Sequence, residues 1–105
     1  MMVIYEVNLS IDSDIVSQFY SWLKEHVKEM LQFQGFIQAT ILKPEQEKNE
    51  GQEQLTVQYQ VKDRGSLEHY LTHFAAKMRE NTSILFKNKF SVERRILEIK
   101  DNVLK

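Results

Sequence analysis

Residues Leu55 to Val61 read L-T-V-Q-Y-Q-V. Leu55, Val57, Tyr59 and Val61 are apolar, and Thr56, Gln58 and Gln60 between them are polar. Successive side chains of a strand point to opposite faces, so the alternation predicts a strand with one dry face and one polar face. The stretch holds no Gly or Pro and is rich in β-branched and aromatic residues, which suits an interior place in a sheet. An amphipathic helix pattern lies on either side of it, and further strand patterns lie towards both ends.

Met2 to Ile11 alternates in the same way. Val3, Tyr5, Val7, Leu9 and Ile11 share one face, and Ile4, Glu6, Asn8 and Ser10 share the other. Asp12 and Ser13 follow as N-cap candidates for a helix running to about Phe33. Its stripe is Ile15, Phe19, Trp22, Leu23, Val27, Met30 and Leu31 at three- and four-residue spacing. Gly35 is the expected stop, because glycine takes the left-handed conformation without steric cost.

Phe36 to Lys43 predicts a second strand, with Ile37, Ala39 and Ile41 on one face and Phe36, Gln38, Thr40 and Leu42 on the other. Pro44 to Glu53 is polar and charged and predicts a long hairpin loop. After the Leu55–Val61 strand, Asp63 can cap a second helix from Arg64 to about Glu80, with Leu67, Tyr70, Leu71, Phe74, Ala75 and Met78 as its stripe. Asn81 to Asn88 is expected to be a connection pinned by Ile84, Leu85 and Phe86. Phe90 to Lys100 is the last strand.

The order β-α-β-β-α-β predicts an α+β, ferredoxin-like domain: a four-stranded antiparallel sheet with both helices on one face. The usual strand order, 4-1-3-2, makes the first and third strands central, and these carry the cleanest alternation. The length of 105 residues fits one domain spanning 1–105. Net charge is -1, which leaves no global field to attract nucleic acid or an anionic membrane. There is no Cys, so disulfides, thiol catalysis and thiolate metal sites are excluded. No apolar run approaches a membrane span and the N-terminus enters a strand without a basic leader, so a cytoplasmic protein is expected.

With both helices on one side, the other face of the sheet is open. It would present Glu6 and Asn8 from the first strand and Gln58 and Gln60 from the third. The fourth strand would add either Glu93, Arg95, Leu97 and Ile99 or the alternate set with Arg94. This face is mixed rather than dry. It can be solvated, or pack on a second copy with its polar groups paired, Glu6 against Arg95 among them. Alternatively, two facing sheets enclose a ligand pocket lined by Glu6, Asn8, Gln58, Gln60 and Arg95.

Other candidates read as structural. His69 and His73 stand four apart on the second helix, a spacing that can ligate one metal, but their stripe points to solvent and no further ligands join them, so no metal is expected. His26 falls beside Trp22 in the first helix's stripe, the place of a partly buried, hydrogen-bonded histidine. Arg94 and Arg95, with Lys87 and Lys89, form a small basic patch offset by the Glu-rich loop, and the central strands lack the exposed aromatic pair of an RNA-binding sheet. No phosphate loop, nucleophile elbow or zinc-ligand spacing is present.

Six segments together span nearly the whole chain: I-Y-E-V from Ile4, W-L-K-E-H from Trp22, G-F-I-Q-A from Gly35, V-Q-Y-Q-V-K-D-R from Val57, L-E-H-Y-L from Leu67 and F-K-N-K-F-S-V-E-R-R-I-L-E from Phe86. In them the chain resembles a family of small, uncharacterised bacterial proteins with a domain of unknown function, related in fold to the dimeric α+β barrels. The resemblance implies the fold and a homodimer, and no activity. The wider barrels include monooxygenases and haem-degrading enzymes. The latter use an Asn, a Trp and a His, but Trp22 lies on the first helix, where those enzymes do not place theirs.

The expected function is therefore a non-catalytic binding or structural module that dimerises through the open sheet face, without a cofactor and with a small-molecule ligand as an option. The alternative is a small monooxygenase-like or haem-related enzyme working between sheet and helices, with Asn8 and a histidine or arginine as polar groups.

Overall fold

The computed structural model describes residues 1–46 and 49–105. Strand β1 spans Val3–Asp12, β2 Phe36–Leu42, β3 Gln52–Val61 and β4 Phe90–Glu98. Helix α1 spans Val16–Met30, α2 Arg64–His73 and α3 Ala75–Phe86. The sheet order is β2-β3-β1-β4, all pairs antiparallel, as the alternation of the two central strands predicts.

One face of the sheet meets the helices. Val3, Tyr5, Leu9 and Ile11 of β1 and Leu55, Val57, Tyr59 and Val61 of β3 are buried there, against Phe19, Leu23, Val27 and Met30 of α1 and Leu67 and Tyr70 of α2. Each such side chain contributes roughly 1.5–3 kcal/mol by leaving water. Phe19 is the hub of an aromatic cluster, with ring centres 5.3 Å from Trp22, 4.8 Å from Phe86 and 5.4 Å from Phe90.

Local chemistry differs from expectation at four places. First, Asp12 and Ser13 do not cap α1. Ser13–Ile15 form a 3-10 turn and no side chain caps either helical segment. The Asp12 carboxylate instead accepts from Gln52 Nε2 at 3.1 Å, across the β1–β3 ladder.

Second, β2 carries a bulge between Phe36 and Gln38. The extra residue shifts the alternation, so Phe36 turns into the core while Ile37 is exposed. Phe36, Ala39 and Ile41 therefore share the covered side.

Third, the second helix is longer than its pattern and broken. Phe74 leaves helical geometry at φ -126°, ψ -25°, and its ring lies 4.8 Å from Phe33. The segment expected to connect, from Asn81, is helical as the rest of α3. Ile84 and Leu85 are exposed, and only Phe86 of the three supposed anchors packs into the core.

Fourth, α1 ends at Met30 rather than Phe33, and Gly35 serves the turn into β2. Its φ is +87°, and an added Cβ would sit 2.4 Å from Ser66 Cβ and Oγ. The Gly35 carbonyl accepts from Lys62 N at 2.8 Å, so the turn is closed against the start of α2. There Asp63 caps as expected, accepting from Ser66 N at 2.7 Å. The hairpin loop expected over Pro44–Glu53 falls in part outside the described residues, and Gln52 and Glu53 already belong to β3.

Candidate functional site

The register decides which residues share the open face. Glu6 stands opposite Gln58 on β3 and Arg95 on β4; Asn8 stands opposite Thr56 and Glu93. Arg95, Glu93 and Leu97 therefore lie on the open side, and Arg94 lies opposite Val7 on the side of the helices. The choice that the sequence left open falls to the Arg95 set.

Glu6 is the centre of a polar ladder. Its Oε2 accepts from Arg95 Nε at 2.5 Å and from Asn8 Nδ2 at 3.0 Å, and its Oε1 accepts from Gln58 Nε2 at 2.9 Å. Asn8 Oδ1 in turn accepts from Thr56 Oγ1 at 2.7 Å. Glu6 is 4% exposed although no helix covers it: its own neighbours bury it. The hydrogen bond from Arg95, then those from Asn8 and Gln58, hold its carboxyl at about 2 against the opposing effect of burial. Gln60, expected in the same set, lies further along the strand and donates to Met2 Sδ at 2.8 Å. A groove of about 700 Å³ follows the ladder and includes Glu6, Asn8, Thr56, Glu93 and Arg95; Gln58 and Gln60 do not line it.

A second cavity, about 360 Å³, lies between sheet and helices. Tyr5, Tyr59 and Tyr70 line it with Trp22 and His26, and Arg79 and Arg94 are among its polar residues. Asn8 does not belong to it, because β1 turns Asn8 to the opposite face. The enzyme reading that joined Asn8 to this cavity is corrected on that point. Arg79 Nη2 donates to Tyr5 Oη at 3.1 Å. Burial pushes the Tyr70 phenol up to about 12, outweighing the opposing charges of Arg79 and Arg94, and pushes Tyr59 higher still. His26 stacks on Trp22 at 4.6 Å and 17°, and burial lowers its pKa, so the ring is neutral near pH 7.

The sequence reading placed its enzyme alternative between sheet and helices, but did not single out Tyr5, Tyr59, Tyr70, Arg79 or Arg94 as lining a cavity there. The available signal was Arg94 itself, a charge at the inward position between Val92 and Ile96. His69 and His73 are exposed with ring centres 4.5 Å apart. Among the described residues no three His, Cys, Asp or Glu side chains are grouped to hold a metal.

Element order, sheet order and the single helical layer define a ferredoxin-like α+β protein of the dimeric-barrel fold type. Residues 2–100 match the family described as a domain of unknown function (DUF4286), and the chain belongs to that family. No curated protein matches the chain. Among solved structures it is similar to a candidate antibiotic biosynthesis monooxygenase from Deinococcus radiodurans, at TM-score 0.75 and 10% identity, covering 98% of this chain and 97% of that one. A dimeric ferredoxin-like protein from an uncultured marine organism gives TM-score 0.72 at 13% identity, covering 98% and 100%. SnoaB, a cofactor-independent oxygenase from Streptomyces nogalater, gives 0.71 at 12%, covering the whole of both chains. At these identities the likeness establishes the fold alone. No helix among the described residues is long and apolar enough to cross a membrane.

Proposed function

We propose that this chain is a non-catalytic binding module of the bacterial cytoplasm that works as a homodimer, with the open sheet faces of two copies packed together. The observation that carries the reading is the Glu6 ladder. A polar face can be pressed against a copy of itself at low cost only when its groups already have partners. Here Glu6, Asn8, Thr56, Gln58 and Arg95 satisfy one another within one chain. No buried side-chain polar atom among the described residues lacks a partner. Ile4 and Leu97, cross-strand neighbours on the same face, and Leu42 at its edge add apolar contact area. In this arrangement Glu6, Asn8, Gln58, Gln60 and Arg95 face the interface, and Glu6, Asn8 and Arg95 also line the groove.

On the other side of the sheet lies the cavity between sheet and helices, whose described lining includes no Asp or Glu. The competing reading, an oxygenase-like enzyme, is favoured by one feature of that cavity: His26, a neutral imidazole, is available there as a base.

Sedimentation equilibrium at tens of micromolar tests the dimer. The expected mass is twice that of the chain. Thr40→Lys, at an exposed position opposite Gln58 on the open face, should raise the dissociation constant at least about tenfold without changing the circular dichroism spectrum. A monomer for the unmodified protein overturns the reading.

A further inference from the structure

We propose that the cavity between sheet and helices is a binding site for a small aromatic carboxylate, its ring among Tyr5, Tyr59 and Tyr70 and its carboxylate on Arg94 and Arg79. This rests on the reading of the chain as a binding module and names its ligand class.

The first support is Arg94. Along the edge strand β4 the positions on the helix side are Phe90, Val92, Arg94 and Ile96, and Arg94 is exposed there while lining the cavity. Among the described residues Arg94 makes no hydrogen bond or ion pair, and Arg79 has only the uncharged Tyr5 hydroxyl. Both reach the same cavity, whose described lining carries no negative charge. Two exposed guanidinium groups on the lining of one cavity offer forks that match the planar geometry of a carboxylate.

The second support is independent. Tyr59 and Tyr70 are almost wholly buried, yet neither hydroxyl is hydrogen-bonded within the described protein. Since no sealed side-chain oxygen there is left unpaired, both hydroxyls open onto the cavity. Both phenols are protonated at neutral pH and so can donate. Donors without acceptors, on an otherwise aromatic wall, call for a ligand that is flat, apolar and anionic at one end.

The volume of about 360 Å³ lies at the small end of ligand pockets, roughly 300–1,000 Å³, which suits one or two rings. Lys87 also lines the cavity, so inorganic phosphate is the competing anion that the test includes.

Isothermal titration calorimetry with 2-naphthoate and its neutral isostere 2-naphthalenemethanol tests the proposal. Naphthoate should bind at least about tenfold more tightly than the alcohol. Arg94→Gln should remove most of that preference, and Arg94→Lys, which keeps the charge and loses the fork, should remove less. Arg64→Gln, an exposed arginine outside the cavity, should leave it unchanged. Thermal melts confirm that each variant is folded. Equal binding of acid and alcohol overturns the carboxylate assignment while leaving a binding module standing. Binding of neither by the folded protein overturns the site, and inorganic phosphate binding as tightly as 2-naphthoate overturns the ligand class. The dimer is judged separately, by its mass.

Discussion

Arg95 Nε lies 2.5 Å from Glu6 Oε2, with the two side chains 64% and 5% exposed. The pair is thus one-sided: a buried carboxylate held by a cation that stays largely in water. Such a carboxylate costs desolvation, and the structure offsets it with three donors from three residues, Arg95, Asn8 and Gln58. The consequences fall on Glu6 rather than on Arg95.

The first consequence is a pH dependence. The Glu6 carboxyl titrates at about 2 in the fold and at 4.5 as its ordinary value. A depressed carboxyl pKa stabilises the fold above the unfolded value, and that stability is lost as pH falls through the folded value. Urea unfolding measured from pH 6 to pH 2 should show Glu6's contribution constant down to about 4.5 and falling below it. The full contribution is at most about 2–3 kcal/mol, reduced by solvent around Arg95. A Glu6→Gln protein should lose this part of the acid slope.

Removing the acceptor should cost more than removing the cation. Glu6→Ala strands Asn8 Nδ2 and Gln58 Nε2 in a partly buried ladder, for a loss of about 2–3 kcal/mol. Arg95→Ala leaves the carboxylate with two amide donors and opens it to water, so its loss should be the smaller. Chemical denaturation of both variants at pH 7 gives the order, and a reversed order contradicts the one-sided account.

Gly35 is fixed by two effects that can be separated. Gly35→Ala meets Ser66 at 2.4 Å and forces a side chain into φ +87°. The conformational part alone costs roughly 1–2 kcal/mol, and the collision adds to it. Ser66→Gly combined with Gly35→Ala should recover the collision part only, which a double-mutant cycle measures.

The aromatic cluster sets a contrast within α1 and α3. Phe19→Ala removes a wholly buried ring touching Trp22, Phe86 and Phe90 and should cost about 3–5 kcal/mol. Ile84→Ser should stay within about 0.5 kcal/mol, because Ile84 is exposed on α3. Thermal melts of the two variants suffice; a large loss for Ile84→Ser would place that side chain in a packed interface.

The dry and polar faces of β1 and β3 were legible in the sequence because strand periodicity is a local property: Tyr5 and Glu6 must point to opposite sides wherever the strand lies. The order of the four strands and first helix along the chain and the cap at Asp63 follow from similarly local rules, whereas the helical run from Asn81 to Phe86 read as a connection. The membership of Glu6, Asn8 and Gln58 in one polar face was legible in the same way. What local pattern could not carry was register. Only strand pairing set Arg95 against Glu6 and sent Arg94 to the helices, since β4 reads equally well in either phase. Only packing put the bulge at Phe36, the break at Phe74 and the three tyrosines around one cavity. Those outcomes depend on contacts between residues far apart in the chain, which are formed by the fold as a whole and leave no periodic trace in any one segment.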